Sequence, residues 1–89
     1  MTVKKIFENQ IFLILDFIYL NGPVRHRDIA QQTSSRGTLS LSLNSLLKEG
    51  LITRQVNTET KPIQTYYQIT DKGKNLAEKL REIRKILGS

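Results

Sequence analysis

The chain has 89 residues, a net charge of +6 and no cysteine. Disulfides and thiolate metal sites are excluded, and this length suits one small domain with a modest core, for which oligomerisation is a natural extra source of stability. The longest apolar run, Ile11 to Leu20, is ten residues interrupted by Asp16, against about 20 for a membrane span; Glu8 and Asn9 before it, with no small-residue cleavage site after it, argue against a signal peptide and leave a cytoplasmic location as the expectation.

The first element is a helix from Val3 to Leu20. Phe7, Ile11, Ile14 and Ile18 recur at helical spacing, and Phe12, Leu13, Leu15, Phe17 and Leu20 widen the stripe almost all round. A helix apolar on most faces must be covered on most faces, which points to a second subunit as well as to the rest of the chain. Asn21, Gly22 and Pro23 stop it. Val24 to Thr33 then has room for a short extended start and two to three helical turns with Ile29 and Ala30 inward. Ser34 or Ser35 is placed to cap the next helix.

Residues 36–48 carry two interleaved patterns. Leucine alternates with serine from Leu39 to Leu43, as in a half-buried strand, yet Leu39, Leu43, Leu46 and Leu47 fall on one helical face. Lys48 suits a last helical turn and Gly50 a left-handed C-cap. The spacing therefore predicts a helix with Leu41 on its polar side. Leu51–Asn57 and Gln64–Thr70 alternate like strands, and the loop at 57–63 joins them as a hairpin. Thr70 or Asp71 caps a last helix from Lys72 to about Leu87, in which Leu76, Leu80, Ile83 and Leu87 have the spacing of a two-helix seam.

Charge is distributed unevenly. Residues 1–20 are neutral, whereas residues 21–63 and 71–89 each carry six positive and three negative charges. A basic surface beside a neutral apolar helix suits a nucleic-acid partner. With no cysteine, one histidine and no Gly-rich phosphate loop or metal-ligand cluster in the sequence, no enzyme, cofactor or metal chemistry is expected.

Three segments carry a family resemblance. "GPVRHRDIAQQT" is similar to the second-helix start of HxlR- and MarR-type regulators of bacteria and archaea. "LNSLLKEGLITRQV" resembles their L-x-x-L-x-x-x-G-L-I-x-R run, and "TYYQITDKGKNL" their Y-x-L-T-x-x-G-x-x-L. The resemblance covers roughly residues 12–80. It implies an α+β, mostly helical, winged helix-turn-helix. One domain, 1–89, would comprise an N-terminal helix (1–20), the helix-turn-helix and wing (21–70) and a C-terminal dimerisation helix (71–87). HxlR-type members usually carry a cysteine near the N-terminus that some use for redox sensing, a mode this chain excludes. MarR-type members are longer and usually hold an Asp-Arg pair in the wing, absent from "NTETKPIQ".

Such a fold places its recognition helix, here about 36–48, in the major groove, and its wing, here 57–63, on the backbone or minor groove. The DNA-facing residues implied are Ser35, Arg36, Thr38, Leu41, Ser42, Asn44, Ser45 and Lys48. Arg36 suits a guanine edge, Leu41 a thymine methyl, and Lys48 a phosphate. Arg25 and Arg27 would meet the backbone unless Asp28 pairs with one of them. Arg54 is expected on phosphate or paired with Glu49, and Lys61 with Thr58 and Thr60 on the wing, opposed by Glu59. His26 lies where the family carries an apolar or aromatic residue, so a partly buried structural role is expected. Of Tyr66 and Tyr67 one should face the core, and Tyr66 is matched to the family tyrosine. The expected partners are duplex DNA and a second copy of the chain. Phe7, Ile11, Ile14, Ile18, Leu76, Leu80, Ile83 and Leu87 would form the homodimer interface. Two other readings stay open: a protein-interaction module, and weakly specific chromatin-like DNA binding.

Overall fold

The computed structural model describes residues 9–32 and 36–88, apart from the side chain of Arg36. The elements run α1 (Gln10–Asn21), β1 (Val24–Arg25), α2 (His26–Ala30), α3 (Arg36–Lys48), β2 (Ile52–Asn57), β3 (Gln64–Ile69) and α4 (Asp71–Leu87). Of the helix expected from Val3 to Leu20, residues 3–8 lie outside the described residues, and α1 opens at Gln10. Asn9 is extended and its side chain accepts a hydrogen bond from the Ile11 N–H, so a good N-cap residue starts the helix where periodicity alone would have run on. Helix α2 is also shorter than expected, at 5 residues; the Gln32 N–H reaches back to the Ile29 carbonyl, a three-residue closure that tightens and ends the helix.

The three strands form an antiparallel sheet in the order β1-β3-β2, with Val24 opposite Tyr67 and Ile52 opposite Ile69. Tyr67 is the core tyrosine, at 4% exposure, while Tyr66 is half-buried. Pairing decides this: Tyr67 lies two residues from Ile69 on one face of β3. Tyr67 also stands three residues before Thr70, the spacing in the quoted family run, which corrects the match to Tyr66.

Leu39, Leu43 and Leu46 of α3 meet Ile14, Leu15 and Ile18 of α1, with Ile29, Ile52 and Ala77 closing the core. The end of α3 is tied off by two bonds, Gly50 N–H to the Leu47 carbonyl and Leu51 N–H to the Leu46 carbonyl. Gly50 has φ 73°, the left-handed state that this type of helix stop requires. Helix α4 then docks onto that stop. The Thr70 hydroxyl donates to the Gly50 carbonyl at 2.7 Å and accepts from the Gly73 N–H at 3.0 Å, and Lys72 Nζ donates to the Glu49 carbonyl at 2.8 Å.

The apolar positions expected between subunits divide in two. Ile14 and Ile18 are fully buried within the chain itself, because α1 is covered by α3, α4 and β3; they are not available to a partner. Ile11, Leu76 and Leu80 are half-buried against the same core, Phe7 lies outside the described residues, and Leu87 is half-buried. Ile83 is the one expected position that is exposed among the described residues, and the other exposed apolar side chains of α1 and α4 are Leu13, Leu20 and Ile86. Leu13 and Leu20 lie one turn either side of Asp16 on α1. Asp16 in turn accepts a 2.9 Å hydrogen bond from Arg81 of α4.

Candidate nucleic-acid interface

Helix α3 presents a polar face opposite its leucines. Gly37, Thr38, Leu41, Asn44, Ser45 and Lys48 are all exposed on it. Leu41 is 71% exposed, against 2% for Leu39 and Leu43, so the alternation of leucine and serine is two helical faces interleaved. Ser42 does not belong to the outer face: it is 3% exposed. On a helix it lies about 40° from Leu46 and about 60° from Leu39, close enough for its small side chain to sink with them. Ser40 takes its place at the surface, in a groove shared with His26, Arg27 and Ala30 of α2. The helical wheel carries that signal in the sequence itself. Ser35 lies outside the described residues; Arg36 opens α3, with its side chain outside them.

Helix α2 sits between α3 and the wing. Arg25, His26 and Arg27 line a second groove whose far wall is Pro62, Ile63, Gln64 and Thr65. Arg27 is exposed. Arg25 is paired with Asp28, Nε to Oδ2 at 3.5 Å, and its backbone N–H donates to the same carboxylate oxygen; the carboxylate thus helps to start α2 and leaves Arg25 less free to reach a phosphate. His26 is exposed rather than partly buried. Its Nδ1 lies 3.4 Å from the Tyr67 hydroxyl and its ring rests tilted over the tyrosine at 5.9 Å, since β1 delivers it to the rim of the sheet and not beneath it.

The wing is braced from within. Asn57 Oδ1 accepts the Glu59 N–H at 3.0 Å, and the Thr60 hydroxyl lies 3.1 Å from the Pro62 carbonyl. Thr60 is therefore engaged in holding the loop, while Thr58 and Lys61 remain exposed. Arg54 is exposed in mid-β2, and no ion pair with Glu49 forms among the described residues. The α2 cations and the base of the wing thus stand together beside the start of α3. Lys48 lies at its other end, about 18 Å along the helix axis.

Away from this face, charged groups tie α4 to α1. Asp16 holds Arg81 and lies 4.0 Å from Arg84. The Tyr19 hydroxyl donates to Glu78 Oε1 at 3.4 Å; partial burial and the neighbouring carboxylate raise its pKa above the usual tyrosine value. Among the described residues no group of acids and histidines is placed to hold a metal ion, and no helix is long and apolar enough to cross a membrane.

A three-helix core, a short third strand, a hairpin beside a polar-faced helix and cations around it define a winged helix-turn-helix domain of the DNA-binding, transcription-regulating kind. The chain belongs to the HxlR-like helix-turn-helix family, whose model matches residues 8–88. It is 42% identical over 74 residues to the uncharacterized HTH-type transcriptional regulator YvaP of Bacillus subtilis (strain 168), a match spanning 81% of this chain and 68% of YvaP. In fold it is similar to AF1382 from Archaeoglobus fulgidus, with TM-score 0.81 and 20% identity over 98% of this chain and 97% of that one. It is also similar to Streptococcus pneumoniae FabT, solved in complex with DNA, with TM-score 0.73 and 19% identity over 98% of this chain and 57% of FabT.

Proposed function

We propose that this chain is a cytoplasmic, homodimeric regulator that binds specific sequences in duplex DNA and performs no catalysis. The outer face of α3 enters the major groove with Thr38, Leu41, Asn44 and Ser45, while Arg36, the first residue of the helix, reaches a guanine edge and Lys48, in the last turn, a phosphate. Arg27, Arg54, Thr58 and Lys61 meet the sugar-phosphate backbone, with Arg25 a lesser contact. The observation that carries this reading is the division of α3 into a fully buried leucine face and an exposed polar face, flanked by the cations of α2 and the wing. FabT's complex with DNA supports the use of such a domain on a duplex.

The second copy is proposed to pack on the exposed apolar stripe of α1 and α4, centred on Leu13, Leu20, Ile83 and Ile86 and reaching Leu87. Two copies of α3 would then address half-sites about 34 Å apart.

The test is binding of the purified chain to duplexes selected from a randomised pool, followed by fluorescence anisotropy over a salt series. Affinity should fall on a log–log plot with a slope of about −0.9 per phosphate neutralised. A slope near zero, or equal affinity for selected and unselected duplexes, refutes specific DNA binding.

A further inference from the structure

Leu41 has no structural explanation in the fold. It is 71% exposed and is the one large apolar side chain that α3 leaves in water among the described residues. Every other exposed position around it on α3 is polar or bare: Thr38, Asn44, Ser45 and Lys48 surround it, and Gly37 lies one turn earlier on the same face. The other exposed large apolar side chains stand on α1, β2, the wing and α4. A single leucine ringed by polar groups is too little apolar surface to dock a protein, whose interfaces gather aromatic and aliphatic anchors into a continuous core. In the major groove, by contrast, the 5-methyl of thymine is the one apolar group on a base edge.

We propose that Leu41 is a specificity-determining residue that packs on a thymine 5-methyl group in each half-site, the polar side chains beside it hydrogen-bonding the neighbouring bases and phosphates. This rests on the DNA-binding reading above. Thymine is then selected over cytosine by apolar contact, without a hydrogen bond from this residue. The discrimination expected is that of burying one methyl-sized group together with the facing leucine, about three- to tenfold in affinity.

The experiment uses the full chain and a duplex recovered by selection. Each thymine of the half-site is replaced in turn by deoxyuridine, which removes the methyl and keeps every hydrogen-bonding group. One such replacement should weaken binding about three- to tenfold for the natural chain, and have no effect on Leu41→Ala, whose salt slope should match the natural one. Leu41→Ala removes an exposed side chain and adds a strong helix former, so its fold should be retained. A selected half-site without thymine, no weakening at any deoxyuridine, or the same weakening in Leu41→Ala overturns the assignment to Leu41 while leaving DNA binding intact. Failure to bind any duplex in a salt-dependent way overturns both.

Discussion

A methyl group at position 73 has nowhere to go. A β-carbon built on Gly73 falls onto the Leu51 carbonyl oxygen and comes within 2.9 Å of Ile69 Cγ1, because the first turn of α4 lies directly on the start of β2. Gly50, by contrast, has open space around it and only its φ of 73° to defend. The same substitution therefore separates two kinds of cost. Gly73→Ala should destabilise the chain by about 2–3 kcal/mol through overpacking, and Gly50→Ala by about 1 kcal/mol through backbone strain. Chemical denaturation of the two variants beside the natural chain measures the difference; equal losses would contradict this division. Residue identity in the sequence marked Gly50 as a helix stop, since turn chemistry is local. The need for glycine at 73 was carried by the resemblance alone, because the colliding atom belongs to a residue 22 positions earlier. Ser42 and Ser40 are both small and polar, and their places on the helical wheel tell them apart: Ser42 lies beside the buried Leu46 and Leu39, Ser40 beside the half-buried Leu47.

Elements held by few contacts are the ones whose bonds can be measured singly. Thr70 accepts the Gly73 N–H and donates to the Gly50 carbonyl, so Thr70→Ala removes a cap and a tether together and should cost about 1–2 kcal/mol, read as a lowered denaturation midpoint. Further along, α4 is pinned to α1 by Asp16 with Arg81. That pair is partly exposed, and Asp16→Asn should cost up to about 1 kcal/mol, with faster amide exchange on the C-terminal half of α4. The Tyr19–Glu78 contact gives a pH signature. The raised pKa means that the folded chain holds the Tyr19 proton more tightly than the unfolded chain, so stability from this group is complete below pH 10.0 and is lost as pH rises through the higher folded value. Tyr19→Phe should flatten that alkaline decline in denaturation profiles. Alternation and helical spacing located both long strands, α3 and α4 to within a residue or two at most of their ends. They overran at α1 and α2, where one side-chain cap and one tight turn override periodicity.

For the whole molecule the predictions concern charge and assembly. Lys61→Ala, on the exposed wing, should weaken binding to all duplexes alike and make the salt slope less negative by about 0.9, as anisotropy titrations would report. Ile83→Glu with Ile86→Glu should leave a folded monomer in sedimentation equilibrium, since both side chains are exposed in the single chain. A dimer persisting in that double variant would place the second copy elsewhere. The sequence pattern anticipated an apolar excess on α1 and α4, yet it could not apportion that excess between core and partner, because Ile14 and Ile18 look the same as Leu13 and Leu20 until α3 is laid across them.

The stop at the end of α3, the start of β2 and the first turn of α4 share one joint, built from Gly50, Leu51, Thr70, Lys72 and Gly73. Starting in that joint, α4 runs for 17 residues, a rod of about 25 Å whose outer half is exposed along residues 81–86. Three elements therefore end or begin on the same few backbone groups, so loosening any one of them is felt by the other two: a change at Thr70 or Gly73 disturbs the stop of α3, the entry to β2 and the seating of α4 together.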